Sequence, residues 1–470
     1  MTRFLKFKNG ELMTPLMVFS DTLALGLCSG IAVWIRYIYE GKFHPIMYAK
    51  LFPALAIFYI LFSLRQLYPG ILLSPPDELK RISQSIALGF LTLAVIVFLS
   101  KQANSYSRGI FVMALAMSLI AVPIFRAVFR HFGCRIGIWG RQTIIFGAGQ
   151  TGKIVAKTLL KKPSLGLKPI AFLDDDPHKL GTSLQGIPIV APLAGATELA
   201  ALNPGSIAVL ALPSIDRSRL RTIIDSHTER FRNVILIPDL FGVTSLWVSA
   251  ADLDGILGLD IRHKLLDPRR QLTKRALELL FIIASLPLSL PLMGLIALAV
   301  KFDSPGPIFF KHCRIGLGGE DITIWKFRTM IQDAEERLQE CLKDPFLLAQ
   351  WMEQHKLPDD PRITRLGRFL RATSLDELPQ LFNVVRGELS LVGPRPIVWA
   401  EAERYREGFE LYKKVRPGLT GLWQVSGRST TSYRYRVNLD TYYVRNWSVW
   451  MDIYILAKTP LAVLSRKGAF

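Results

Sequence analysis

The chain has 470 residues, half of them hydrophobic, and its 58 Lys and Arg against 38 Asp and Glu give a formal net charge of +20 at pH 7. Apolar content of that order, gathered into blocks, excludes an ordinary soluble enzyme, while the positive surplus suits anionic lipid head groups, nucleic acid or phosphorylated substrates without choosing among them. Cys28, Cys134, Cys313 and Cys341 have no paired spacing, which argues against a disulfide framework or a zinc site and fits a reducing compartment.

The N-terminus, MTRFLKFKNG, is basic and leads into an apolar segment without a small-residue cleavage site, so it reads as an anchor and not a removable signal. Apolar blocks follow near 15–38, 47–67, 82–100 and 110–130, each close to the roughly 20 residues that span a bilayer. They predict a four-helix transmembrane domain over 1–140. Arg3, Lys6, Lys8, Lys80, Arg81, Arg126, Arg130, Arg135 and Arg141 favour a cytoplasmic location for both ends, although Arg36, Lys42, Lys50, Lys101 and Arg108 dilute the bias. Asp21 lies near one end of the first block, where an interfacial or helix-packing role is expected.

From Arg141 strands alternate with helices. RQTIIFGAGQTG runs from an apolar strand through Gly147, Gly149 and Gly152 into a helical stretch, and IAFLDDD then gives a second strand ending in acids. SIAVLALP and NVILIPD continue the rhythm, so 141–268 is expected to form a Rossmann-like α/β domain. The three glycines are candidate cofactor-binding positions, with Asp174 to Asp176 farther on than a usual ribose-binding acid; equally, they allow close packing of strand on helix. A short-chain reductase or epimerase would need a tyrosine and a lysine, and 141–270 contains no tyrosine. Redox chemistry is not expected there, and dimerisation or regulation is.

The apolar segment 277–300 is long enough to cross a membrane but carries Pro287 and Pro291 at its middle, each of which removes a backbone donor. A sharp break is expected, giving a re-entrant helix near 273–302 that returns to the face it entered from and keeps the flanking domains on one side.

Residues 269–470 form the third expected domain, rich in polar motifs: WKFRTM, DPRITRLGRFLRATSLDELPQLF, ELSLVGPRP and VRPGLTGLWQVSGR. Arg328, Arg362, Arg365, Arg368 and Arg371 surround the pair Asp376 and Glu377, a setting for phosphate, since guanidinium groups bind phosphate oxygens in pairs. One carboxylate could attack phosphorus and its neighbour could hold a magnesium ion. Ser374 and Glu377 also have capping-box spacing, but a cap at Ser374 would place Pro379 in the second helical turn. A cap at Asp376 puts Pro379 in the first turn, where its missing N–H is harmless, and brings the carboxylates to the helix mouth. Arg362, Arg365 and Arg368 are spaced for one helical face and suit lipid head groups as well as catalysis. Trp423 and Trp447 read as core or interfacial anchors, and the histidines show no ligand spacing.

TSLDELPQLFNVVRGELSLVGPRP, with KFRTM before it and RPGLTGLWQVSGR after it, resembles the signature of the bacterial sugar transferases, the monotopic phosphoglycosyl transferases. The N-terminal helices and central α/β region extend the likeness to the large polyprenyl-phosphate hexose-1-phosphate transferases, nearest the undecaprenyl-phosphate galactose phosphotransferases of O-antigen, capsule and exopolysaccharide assembly. The resemblance implies that Asp376 is the nucleophile and Glu377 its partner, acting with Mg2+ as cofactor and metal ligands. It further implies that Arg371 binds phosphate, that Pro394, Arg395 and Pro396 lie beside the nucleotide, and that Lys326 and Arg328 belong near the substrate. Lys274, Arg275 and Pro291 match the basic entry and proline break of the re-entrant helix; Leu290 departs from the serine many members carry there. The implied partners are a UDP-hexose, undecaprenyl phosphate, membrane lipids and a second copy of the chain, without nucleic acid, at the bacterial inner membrane with the catalytic and Rossmann-like domains in the cytoplasm. UDP-galactose is the expected donor and UDP-glucose the competitor; a membrane-bound nucleotide-sugar oxidoreductase and a non-enzymatic scaffold are the rival readings.

Overall fold

The computed structural model describes residues 10–40, 45–101, 106–213, 215–237, 248–253, 256–261, 264–344, 360–427 and 432–464. Arg3, Lys6, Lys8 and Lys42 lie outside them. The chain falls into two units, Met1–Leu240 and Phe241–Phe470. Among the described residues four helices are long and apolar enough to cross a membrane: three in the first unit and one in the second.

The first unit opens with α1 (Met13–Glu40), α2 (Pro45–Ala49), α3 (Leu55–Leu64), α4 (Pro75–Leu99) and α5 (Arg108–Arg135). The second apolar block is therefore not one long helix. Pro53 sits in a 3-10 turn, Phe52–Ala54, that divides it, so α3 is only 10 residues. A length of about 15 Å falls well short of the roughly 30 Å hydrocarbon layer. Phe58 and Phe62 of α3 nevertheless pack with Ala24, Leu25, Ile82 and Ile86, so the short helix shares the bundle's core. Ser74 caps α4 by accepting the Asp77 amide at 3.3 Å, with Pro75 and Pro76 in the first turn, where no N–H is missed.

Asp21 has no exposed surface and is a packing residue, as its position suggested. Its carboxylate accepts Arg126 Nε at 2.7 Å and Nη2 at 2.6 Å, and the Tyr68 hydroxyl at 2.8 Å. Arg126 also lies 3.5 Å from Glu78, which pairs with Arg130 at 2.5 Å. One buried network thus ties α1, α4 and α5 together.

The rest of this unit is a six-stranded sheet: β1 (Arg141–Phe146), β2 (Leu167–Leu173), β3 (Ser183–Leu184), β4 (Ile187–Ala191), β5 (Ile207–Leu210) and β6 (Asn233–Leu236), in the order β3-β4-β2-β1-β5-β6. All neighbours are parallel except β3 with β4. Helices α6 (Gln150–Lys161), α7 (Ala196–Leu202) and α8 (Arg217–Thr222) form the crossovers. β1 is buried along nearly its whole length, as a central parallel strand must be.

In the second unit β7 (Val248–Leu253) and β8 (Ile256–Ile261) form a hairpin, and α9 (Pro268–Asp303) follows, capped by Asp267. The expected break into two helices is absent: α9 is continuous for 36 residues with Pro287 and Pro291 inside it. Two prolines four residues apart share one helix face, so each costs one hydrogen bond and crowds one preceding carbonyl, which a helix tolerates by bending. Both halves pack on the same unit. Ile282 joins Val384, Leu391, Tyr443 and Trp447, whereas Met293, Ile296 and Val300 join Phe327 and Leu370.

The hairpin β9 (Phe309–Ile315) and β10 (Asp321–Phe327) comes next, then α10 (Ala334–Cys341), α11 (Arg365–Thr373), α12 (Gln380–Arg386), β11 (Ser390–Val392), α13 (Trp399–Tyr405), α14 (Gly408–Tyr412), β12 (Gly418–Thr420), α15 (Leu422–Val425), α16 (Tyr433–Asn446) and α17 (Val449–Leu464). β11 pairs with β12, and their backbones approach so closely that a Cβ on Gly418 would lie 2.0 Å from the Gly393 nitrogen. Lys274 is not a surface cation but a buried hub, 2.7 Å from Asp452 and 2.8 Å from Glu278. Arg275 donates to the Val384 and Val385 carbonyls at the end of α12. Trp447 is buried beside them and donates to Asp452 at 3.0 Å.

Candidate active site

The TSLDELPQLF stretch takes neither form expected of it. Thr364 caps α11 through the Gly367 amide at 2.9 Å, and the helix ends at Ser374, whose φ of 54° is left-handed. Ser374 makes no side-chain cap, so the capping box does not form. Leu375–Glu377 is a 3-10 turn, and α12 begins only at Gln380, with Pro379 at its N-cap position. The two carboxylates therefore sit on a tight turn between helices. The left-handed residue before them redirects the chain there, a conformation that costs a non-glycine residue about 1 kcal/mol or more.

That turn buries Asp376 to 8% exposure and leaves Glu377 more open. Lys326 of β10 reaches both, with Nζ 2.5 Å from Glu377 and 3.9 Å from Asp376. Arg371, in the last turn of α11, is fixed through Nε to Thr329 Oγ1 at 2.9 Å, with its charge facing Asp376. Burial pushes the Asp376 carboxyl up to about 6; Lys326 and Arg371 oppose that rise and Glu377 adds to it. Burial likewise holds Arg371 below its ordinary range. The result is a carboxylate close to neutral pKa, flanked by two cations. Such a group can act as a nucleophile toward an anionic electrophile whose charge those cations offset.

Of the arginines expected around the pair, only Arg371 is there. Arg328 turns away to the Ser304 and Pro305 carbonyls and locks the exit of α9. Arg362 precedes α11, so it is not on its face, and it is buried in a forked pair with Asp360 at 2.7 Å. Arg365 and Arg368 are exposed on α11, near the exposed Phe369.

Asp376 and Glu377 offer two hard oxygen donors with one nearby ammonium between them, and among the described residues no group of three or more His, Cys, Asp or Glu could form a protein-only metal cage. One or two carboxylates completed by phosphate oxygens and water is how Mg2+ is commonly held, so these residues fit that ion.

Pro394, Arg395 and Pro396 follow β11, pinned by the Gly418 amide on the Pro394 carbonyl at 2.8 Å. Arg395 is exposed and lies over the buried Trp423 ring at 5.5 Å. Beneath it is a group that the sequence reading missed: Arg436 and Asp440, one turn apart on α16, with Tyr405 donating to Asp440 Oδ2 at 2.7 Å. The only clue in the sequence was an Arg and an Asp four residues apart within an aromatic-rich helix.

In the sheet unit the glycine loop is closed on itself. Gly147 has φ 97°, and a Cβ on Gly152 would lie 2.0 Å from the Gly147 carbonyl oxygen, so both glycines serve strand-to-helix packing. Among the described residues nothing lies within 4 Å of a Cβ on Gly149. The Ala148 amide donates to Asp174 Oδ2 at 2.7 Å. Burial acts to raise the Asp174 carboxyl, but the amides of Asp176 and Ala148 together with Lys179 outweigh it and hold the group below its usual range.

Of two family matches, one falls in each unit. The bacterial sugar transferase family matches residues 269–466, and a CoA-binding domain family matches residues 68–238. The undecaprenyl-phosphate galactose phosphotransferase of Salmonella typhimurium strain LT2 is 37% identical over 84% of this chain and 82% of its own length. A UDP-glucose:undecaprenyl-phosphate glucose-1-phosphate transferase of Klebsiella pneumoniae is 29% identical over 100% of this chain and 99% of its own. The exopolysaccharide production protein ExoY of Sinorhizobium fredii strain NBRC 101917 / NGR234 is 47% identical over 42% of this chain and 88% of its own length.

Proposed function

Because the chain belongs to the bacterial sugar transferase family, we propose that it transfers a hexose 1-phosphate from a UDP-hexose to undecaprenyl phosphate, yielding undecaprenyl-diphosphate-hexose and UMP and initiating O-antigen, capsule or exopolysaccharide synthesis. The observation that carries the mechanism is the buried Asp376 between Lys326 and Arg371. An Asp376 oxygen attacks the β-phosphorus, forming an acyl phosphate as the bond from that phosphorus to the bridging oxygen breaks and UMP leaves with the electron pair. A phosphate oxygen of the lipid then attacks the same phosphorus, and the carboxylate is released. Lys326 and Arg371 offset charge on the phosphoryl oxygens during both displacements. Mg2+, held by Asp376 and Glu377, would supply further charge neutralisation to the diphosphate.

The relatives' names favour galactose, with glucose as the alternative. In this reading α9 lies in the membrane as a bent, re-entrant helix, since both its halves pack on one unit and Leu288 between them is 79% exposed. The apolar Phe369, Phe382 and Val385 beside exposed arginines of α11 and α12 support a surface resting on lipid. In this arrangement α2 and α3 together make the fourth crossing of the N-terminal bundle, and both the Rossmann-like sheet, assigned here to dimerisation or regulation, and the transferase part face the cytoplasm. Purified protein supplied with undecaprenyl phosphate, Mg2+ and a panel of UDP-sugars tests the reading. UMP release and lipid product are expected with UDP-galactose or UDP-glucose, and Asp376→Asn should lower release by at least about 1,000-fold, in keeping with loss of a covalent nucleophile. Substantial activity in that variant overturns the nucleophile.

A further inference from the structure

One face of the β9–β10 hairpin links the reacting carboxylate to a second polar cluster. The pairs Lys326 with Phe310, Ile324 with His312 and Ile322 with Arg314 lie opposite one another, so Lys326, His312 and Arg314 share a face. Four residues of strand separate its ends, about 13 Å. His312 sits between them, held down to about 4 by burial and then by Arg314 and Lys326. At the far end Arg314 is half-buried and depressed by burial, by Arg395 and by Arg436, against the pull of Glu401 and Tyr412. Arg395 and Arg436 both lie over the Trp423 ring, at 5.5 and 4.7 Å, and their charges act on Arg314.

Arg436 is 7% exposed and gives one amino group to Glu401 Oε2 at 3.1 Å. Its Nε and Nη2, the two N–H groups of its side-on fork, have no hydrogen-bond partner among the described residues. Asp440 is 3% exposed, and its Oδ1 is unpartnered in the same sense, while Oδ2 accepts Tyr405. Buried polar atoms are rarely left in this condition, and four-residue spacing on α16 puts these on one helix face. Unused donors beside an unused acceptor call for a ligand that offers both. A bare phosphate has only acceptors and would pair with Asp440 Oδ1 only when that carboxyl, pushed up to about 7 by burial, is protonated. A uracil ring presents two carbonyl acceptors flanking an N–H donor.

We propose that Arg436 and Asp440 recognise the uracil of the donor, with Arg395 and Arg314 toward its phosphate side. This rests on the reading of the chain as a UDP-hexose transferase. The geometry of the reaction supports the same direction. The β9–β10 end bearing Lys326 packs through Phe309 and Phe327 on the Met293–Val300 half of α9, so the hexosyl phosphate stays at that apolar side to meet a lipid, while the nucleotide half lies toward the other end of the hairpin, where UMP departs into water. Cytosine would set an amino group against the guanidinium and a bare ring nitrogen against the carboxylate, which gives a reason to reject CDP-sugars.

Calorimetric binding of UMP and CMP to the full-length protein in nanodiscs tests the assignment, with UDP-hexose kinetics alongside. Arg436→Lys keeps the charge and removes the fork; UMP affinity should fall about 10- to 100-fold, with KM for UDP-hexose rising in parallel. Asp440→Asn keeps an acceptor for Tyr405 but can turn an N–H toward the base, so preference should shift from UMP toward CMP, a change that a purely structural role does not produce. Unchanged UMP binding in both folded variants overturns the proposal. So does unchanged UMP binding with altered choice between UDP-galactose and UDP-glucose, which would assign the cluster to the hexose. Failure of the underlying function would show separately, as wild-type protein that binds UMP without releasing it from any UDP-hexose.

Discussion

Burial keeps Asp376 from easy ionisation. With the carboxyl raised to about 6, the ionised form that the proposed mechanism needs as nucleophile is lost as pH falls, and UMP release should decline about tenfold per pH unit below about 6. The stability consequence has the opposite sense. A carboxyl raised from 3.8 to about 6 on folding favours the folded state while it is protonated, and that contribution disappears as pH rises through 6. Asp376→Asn should therefore raise the melting temperature at pH 8 in EDTA, by no more than about 3 kcal/mol of stability, and give no gain at pH 3.5. Equal gains at both pH values would contradict the assignment. The motif singled this residue out, because a long signature fixes register. Its setting was not legible there: Arg328 and Arg362 carry the same letters as Arg371 but turn to carbonyls and to Asp360, and side-chain direction has no one-dimensional signal.

At the level of elements, periodicity located the long apolar helices and the strands β1, β2, β5 and β6, since buried parallel strands and apolar helices advertise themselves by run length. It failed where proline decided the outcome. Pro53 ended a helix that composition alone would have continued, whereas Pro287 and Pro291 did not end theirs, because the contacts of Ile282 and Ile296 on either side hold α9 together. The proposed re-entrant course of α9 makes a concrete prediction. Single cysteines in place of Leu272 and Phe302, which are 72% and 86% exposed, should react with a membrane-impermeant maleimide from the same side of sealed vesicles when the native cysteines have been replaced. Labelling from opposite sides would make α9 a full crossing. The glycine loop shows the same limit of sequence reading. Its spacing announced a strand, turn and helix correctly, but could not show that Asp174 already occupies the Ala148 amide.

For the molecule as a whole, the transferase part and the remainder are separable in kind. A match over 42% of this chain takes in 88% of one relative, so part of the chain has a counterpart that occurs nearly alone. The first unit has its own source of cohesion in Asp21, Arg126, Glu78 and Arg130. Asp21→Ala should strand a buried guanidinium and destabilise the full-length protein by about 3–5 kcal/mol, while the double replacement Asp21→Leu with Arg126→Met should cost much less. Thermal melts in detergent read both, and additive losses would argue against coupling. Asp21 was visible in the sequence as an anomaly; its partner, 105 residues away, was hidden among the other basic residues near the end of α5.

That separation also concerns the order in which the chain is made. α1 leaves the ribosome carrying an acid whose counter-ion is not synthesised until α5, and an unmatched aspartate costs about 2.5–3.5 kcal/mol on insertion at a helix centre and less toward the end, where Asp21 lies. Until Arg126 arrives, α1 has reason to linger at the edge of the bilayer or in the keeping of the insertion machinery. The network that fastens the finished bundle is thus also a matter of sequence order, because the first helix is electrically complete only when the last one of its group is in place.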